Sequence, residues 1–208
     1  MKAAAAAYLL APNVPLLFMG EEYGETAPFQ YFIDHGDPVL VEAVRKGRRA
    51  EFSSFGWNGE VPDPQDSATF ERSRVHPGPQ TQSDRAQLLR WYHRLIALRK
   101  SVQALGSAQP GKHEHHVWIE ETEQVLFLHR RALNSRAALV ILSFNREQTS
   151  VTLQKPLGTW ELIVDSSDLE FGGSGANIVP AIVVIGEQGQ TISMPACGVA
   201  VYLDGTPS

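Results

Sequence analysis

The stretch Val14–Asp37, VPLLFMGEEYGETAPFQYFIDHGD, decides how the rest of the chain is read. It opens with an apolar run, Val14–Met19, that shows no polar alternation, is short for a helix and stops at Gly20. Such a run is the pattern of a strand buried on both faces. Glu21 and Glu22 follow at once, then Tyr23, Phe29, Tyr31 and Phe32, and the stretch closes on Asp34, His35 and Asp37. An α/β barrel places its substrate-facing loops directly past the C-terminal ends of its strands. The competing reading is a core strand followed by a solvated loop whose Glu-Glu pair starts a helical turn. Periodicity alone does not separate the two.

Composition narrows the class. The chain has 208 residues, 43% hydrophobic and 20% charged, which is the profile of an ordinary globular protein with room for a real core. A net charge of −5 argues against nucleic acid or an anionic membrane as partner, since both favour basic patches. The local basic cluster Arg45-Lys46-Gly47-Arg48-Arg49 reads as one solvated helix face. Cys197 is the single cysteine, so no internal disulfide forms, a reducing compartment is the natural home, and the thiol reads as a small buried hydrophobe. Met1-Lys2 and the alanines Ala3–Ala7 superficially copy a signal peptide, but the weakly apolar run passes through Pro12 and Pro15 into another apolar segment. It reads better as the end of an Ala-rich helix terminated before Pro12. No stretch reaches the ~20 apolar residues of a membrane span.

Further along, Val39–Phe52 has helical spacing, with Pro38 suited to the first turn, and Asp66–Arg74 suits a short helical turn. The irregular region from Ser53 to Thr81, rich in Pro and Gly, reads as a functional loop or an insertion over an active-site face. Ser83–Lys100 is the strongest helix, with Ser83 as N-cap, an apolar face of Leu88, Trp91, Tyr92, Leu95, Ile96 and Leu98, and Arg99 and Lys100 at the dipole's negative end. Gly106–Lys112, GSAQPGK, marks a boundary, after which the period changes to two. Short strands are predicted at 116–119, 125–129, 137–144, 151–153, 160–164, 181–185, 191–192 and 199–203. Many short strands separated by turns predict an antiparallel sandwich. Phe171-Gly-Gly-Ser-Gly reads as a flexible loop and, lacking a strand-to-helix context, not as a phosphate cradle.

The segments VPLLFMGEEYGE, PFQYFIDHGDP, VRKGRRAEF, FGW and VPDPQDSATFERSRV carry a resemblance along the whole chain, strongest up to about Arg74. They resemble the last part of the α-amylase superfamily (glycoside hydrolase family thirteen), nearest to its branch that releases trehalose. The resemblance implies an α+β fragment: the last βα unit of a (β/α)8 TIM barrel within residues 1–106, with a long loop insertion, then an all-β antiparallel sandwich over 110–208. FMGEEYGE would be the eighth barrel strand and its loop, and the Ser83–Lys100 helix the eighth barrel helix. The implied activity is hydrolysis of the α-1,4-glucosidic bond next to the trehalose unit of maltooligosyl-trehalose, in the cytoplasm, with water and no cofactor. The tail of a glycogen-branching or debranching enzyme, or a non-catalytic carbohydrate-binding accessory module, stays open as an alternative.

A retaining glycosidase needs two carboxyls about 5 Å apart, one nucleophile and one acid of raised pKa. Glu21 and Glu22 are adjacent, and past a strand their side chains point to different sides. The resemblance puts the catalytic Asp, Glu and Asp on the fourth, fifth and seventh barrel strands, none of which lies in this chain. No catalytic residue is therefore assigned here, and the isolated chain is expected to be inactive without that N-terminal barrel portion. Glu22, Tyr23, Phe29, Tyr31, Asp34 and His35 are the candidate substrate-binding residues, since sugars are met by planar aromatics and by carboxylates that accept hydroxyl hydrogen bonds. The alternative is that Tyr23 and Phe29 pack the loop and Asp34 caps a turn. His113, His115 and His116 with Glu114 read as a solvated strand end and not a metal site, and Trp118 and Trp160 as core rather than a sugar-binding surface. Residues from about 110 on are expected to fold alone, with the first hundred or so poorly supported.

Overall fold

The computed structural model describes residues 1–56, 59–76 and 84–205 and divides the chain into two compact units, Met1–Phe18 with Pro79–Ser208, and Met19–Gly78. The first unit is built on a six-stranded antiparallel sheet. Its strands are β1 (His113–Glu120), β2 (Val125–Ala132), β3 (Ala138–Ser143), β5 (Gly158–Asp165), β6 (Ile182–Ile185) and β8 (Val199–Asp204), in the order β1-β2-β3-β8-β5-β6. A two-stranded sheet of β4 (Thr149–Leu153) and β7 (Gln190–Met194) completes the β structure. Every strand expected from the alternating pattern is present.

The sheet has a core on each face, and the period-two alternation sorts side chains between them. Val125, Phe127, Leu139, Ile141, Ala200 and Tyr202 point one way, to Val151, Leu153, Ile192 and Met194 of the two-stranded sheet. Leu128, Ala138, Val140, Leu142, Val199 and Val201 point the other way, to two helices, α1 (Lys2–Leu9) and α4 (Asp84–Ser101). This explains why β3 is buried at every position: it is central and covered on both sides. The β5 strand carries a bulge between Leu162 and Val164, and the Ile163 carbonyl there accepts a hydrogen bond from Arg94 Nη2 at 3.0 Å.

The expectation that the sandwich folds alone from about residue 110 is therefore not what the packing shows. Ala3, Ala5, Ala6, Leu9 and Leu10, with Leu88, Trp91, Leu95 and Leu98, are buried in one core with the sheet. Trp91 donates from Nε1 to the Lys2 carbonyl at 3.1 Å and meets Phe171 edge-on, locking α4 to α1 and to the turn after β5. The expected N-cap, Ser83, lies outside the described residues.

Val14–Met19 is the second departure. It is not a strand, and Val14, Leu16, Phe18 and Met19 are exposed. A strand's backbone groups need a neighbour to pair with, and no ladder partner lies beside this run among the described residues. The barrel strand implied by the resemblance is thus not formed within this chain.

The second unit holds α2 (Pro38–Ser54) and α3 (Ser67–Arg72). Asp37 caps α2, accepting from the Val39 N–H at 2.8 Å, and Asp66 caps α3, accepting from Ala68 at 2.9 Å. Arg45 pairs with Asp63 through two parallel hydrogen bonds of 2.9 and 2.7 Å, and Asp63 also accepts from Gln65. The Ile33 N–H donates to the Pro64 carbonyl, and Phe32 meets Phe70 edge-on. Polar stitching does here what a deep apolar core does in the first unit. No helix among the described residues is long and apolar enough to cross a membrane.

Candidate functional site

The Gly20–Glu25 motif folds back on itself. Glu21–Tyr23 form one 3-10 turn flanked by Gly20 and Gly24, both left-handed, with φ of 87° and 69°. The Glu25 N–H returns to the Gly20 carbonyl at 2.9 Å. A Cβ on Gly20 would lie 2.6 Å from the Glu25 Cβ, so only glycine permits this closure.

Closure commits Glu25. Its Oε1 accepts from the Thr26 and Ala27 N–H groups at 2.6 and 2.9 Å and faces His76 Nδ1 at 2.8 Å, while Oε2 accepts from the His76 N–H at 2.6 Å. The Ala27 amide, His76 and the Thr26 amide hold the Glu25 carboxyl down to about 2. That is the reverse of what a glycosidase's general acid requires.

The six residues expected to bind substrate do not form one surface. Tyr23 is buried and donates from its hydroxyl to the His76 carbonyl at 3.1 Å, so it packs the loop. Glu22 stays on the 3-10 turn, half-buried. Asp34 and His35 are exposed, and His35 is held through its backbone by Gln65. The cap belongs to Asp37, not Asp34.

Phe29 and Tyr31 do come together. They line a cavity of about 320 Å³ with Gln30, Arg48, Phe52, Glu60, Val61 and Pro62. The Arg48 guanidinium lies over the Tyr31 ring at 5.0 Å and over Phe52 at 4.9 Å. The basic cluster is accordingly not one solvated face: Arg45 is paired with Asp63 and Arg48 is stacked on aromatics. Planar rings beside a guanidinium and a carboxylate provide an apolar platform with donors and acceptors at its edge, which suits a polyhydroxylated ligand.

Several residues carry this region without a sequence signal. Glu25 was visible only as the last letter of GEEYGE, His76 lies 51 positions away from it, and Arg48 looked like surface charge. Proximity across such distances has no local pattern.

In the first unit, Trp160 is buried, donates to the Pro156 carbonyl and meets His129 edge-on. Trp118 is half-buried, stacked on Phe127 with Lys155 Nζ 5.1 Å over its ring. His113 is held by Gln103 and Gln109, and His116 stacks on His129. Among the described residues no three His, Cys, Asp or Glu side chains are grouped to hold a metal ion. Cys197 is exposed rather than buried, because it sits in the turn between β7 and β8 with φ of 47° while its N–H is tied to the Asn145 carbonyl. The glycine-rich loop after Phe171 is tightly bonded rather than loose: Gly173 and Gly175 donate to the Asp168 and Ser167 carbonyls.

Residues 118–203 match the family described as alpha amylase, C-terminal all-beta domain. The chain is 48% identical over 103 residues to the malto-oligosyltrehalose trehalohydrolase of Arthrobacter ramosus, covering 49% of this chain and 18% of that one. It is 34% identical over 167 residues to the Mycobacterium tuberculosis protein of that name, covering 78% and 28%. The chain thus spans less than a third of the length of these curated relatives. A crystal structure from Salmonella typhimurium, described as an alpha amylase, superposes with a TM-score of 0.69 at 26% identity, covering 98% of this chain and 30% of that one. AmyP in complex with maltose shares the fold at a TM-score of 0.59 and 18% identity, covering 100% and 34%. The chain resembles the C-terminal part of malto-oligosyltrehalose trehalohydrolases, and its residues 118–203 are similar to the C-terminal all-β domain of the α-amylases.

Proposed function

We propose that this chain is the C-terminal portion of a glycoside hydrolase that cleaves the α-1,4-glucosidic bond next to the trehalose unit of maltooligosyl-trehalose and releases trehalose. The observation that carries the reading is the 48% identity over 103 residues with a malto-oligosyltrehalose trehalohydrolase. The Phe29–Tyr31–Arg48 cavity supports it as one wall of a saccharide site. On this reading the nucleophile and the general acid belong to barrel strands outside this chain, and Val14–Met19 pairs with those strands. The isolated chain is then inactive. The lone Cys197 suits a cytoplasmic enzyme of trehalose synthesis.

The test compares two proteins on maltotriosyl-trehalose: the chain alone, and the chain joined to whatever barrel segment is encoded ahead of it. Trehalose release only by the joined protein is the expected result. Release by the chain alone would overturn the assignment of the catalytic carboxyls. Chain transfer or branch cleavage by the joined protein would move the assignment to a branching or debranching enzyme, and the absence of any such segment would favour an accessory carbohydrate-binding module.

A further inference from the structure

Arg45 and Arg48 stand one turn apart on α2, and the fold uses them differently. Arg45 spends its Nε and Nη2 on the two carboxylate oxygens of Asp63. Arg48 donates from Nη1 to Glu51 Oε2 at 2.5 Å, and no described residue accepts from its Nε or Nη2. Its Cζ lies 5.0 Å from the Tyr31 ring centre and 4.9 Å from that of Phe52. Both rings line the same cavity as Arg48, so the guanidinium is part of the cavity wall. The Arg48 side chain is only 27% exposed. Rings meet its charge but supply no oxygen acceptor, so two donors of a largely covered cation are left without a protein partner. Glu60, in the same wall, also has no hydrogen-bond partner among the described residues. An oxyanion would satisfy Arg48 but would meet the Glu60 and Glu51 carboxylates as like charges. Hydroxyls both accept and donate, so neighbouring hydroxyls of one neutral ligand satisfy Arg48 and Glu60 together, while an apolar sugar face lies on the rings.

We propose that Arg48 is the specificity-determining contact of this cavity, donating from Nε and Nη2 to adjacent hydroxyl oxygens of one glucose residue, with Glu51 as the positioning residue that fixes the guanidinium. The proposal rests on the reading of this region as a saccharide site, and it makes the subsite complete within this chain.

The test titrates the chain with maltotetraose. The parent chain is expected to bind it, with the Arg48 Nε–H resonance shifting and its exchange with water slowing. Arg48→Met keeps an apolar side chain beside the rings and removes the donors, and it is expected to bind about tenfold more weakly. The Ile33 amide, which donates to the Pro64 carbonyl, reports the fold of this unit, and its hydrogen exchange is expected to stay unchanged. Arg48→Lys keeps a charge beside the rings without the planar fork and is expected to remain several-fold weaker than the parent. Inorganic phosphate is expected not to displace the saccharide. No binding by the parent chain, an unmoved Arg48 Nε–H resonance, displacement by phosphate, or binding by either variant equal to that of the parent would each overturn the proposal. The trehalohydrolase reading fails on a different observation, the absence of trehalose release by the joined protein, so the two failures are told apart.

Discussion

Arg99 of α4 and Arg130 of β2 converge on one acceptor, the carbonyl of Ala11, at 2.7 and 3.3 Å. Arg130 also donates to Leu10, Leu105 and Gly106, and Arg99 to Leu9, Asn13 and the Ser107 hydroxyl. Helix α1 ends at Leu9, so its last carbonyls, which have no partner within the helix, are met by two cations at the negative end of the dipole. Burial, with Arg99 close by, brings the Arg130 guanidinium down to about 10, which still leaves it charged at neutral pH.

Arg130→Met should therefore destabilise the first unit by roughly 3 kcal/mol, because it strands several buried carbonyls at once. Arg130→Lys should recover only part of this, since one ammonium cannot span acceptors on two segments. Urea unfolding measures both, and a loss below ~0.5 kcal/mol for the Met variant would show the clamp to be dispensable.

Glu25 links the Gly20–Glu25 loop to pH. Its folded value, about 2, lies below the ordinary carboxyl range, so its contribution is complete above that range and is lost as pH falls toward 2. Hydrogen exchange at the Thr26, Ala27 and His76 amides should accelerate, relative to reference amides, between about pH 5 and 2. Glu25→Gln should flatten that dependence, and an unchanged profile would refute the assignment.

His129 gives the first unit an acid limit of its own. Burial, then Arg131 and His116, hold it at about 4, below the ordinary 6.5, while Glu114 pulls weakly the other way. Protonation thus favours the unfolded chain, and stability that is full above about 6.5 declines as pH falls toward 4. The half-buried setting limits the loss to about 1–2 kcal/mol. His129→Phe, placed against Trp160, should make unfolding free energy shallower between pH 7 and 4, as followed by denaturant titration.

Two glycines separate backbone requirement from ornament. A Cβ on Gly173 would lie 2.1 Å from the Ser167 carbonyl oxygen, whereas one on Gly186 would meet nothing within 4 Å. Gly173→Ala should cost about 2 kcal/mol or more, and Gly186→Ala should lie within ~0.5 kcal/mol of the parent. Thermal unfolding of the two variants provides the comparison.

Limited proteolysis should divide the chain differently from a cut at the GSAQPGK segment. Helices α1 and α4 share a core with the sheet, so early cleavage is expected within residues 19–78, with fragments carrying α1, α4 and the sheet surviving together. Early loss of α4 while the sheet persists would contradict the shared core.

The sequence by itself determined the elements whose cause is local. Period-two alternation placed the eight strands found among the described residues, helical spacing placed α2 and α4, and Pro38 marked the first turn of α2. The aromatic pair Phe29 and Tyr31 was also legible, because ring chemistry is carried by residue type alone. Tertiary structure decided whatever needs a partner from elsewhere in the chain. Val14–Met19 has the composition of a buried strand, yet a strand exists only where a neighbour accepts its hydrogen bonds. Cys197 has the composition of a core residue, yet a left-handed turn turns it out. Glu22 drew attention as the acid in the middle of the motif, while Glu25 became the working carboxylate. Gly20 lets the loop close, and closure brings Glu25 to His76 across 51 positions, a distance at which sequence holds no pattern to read.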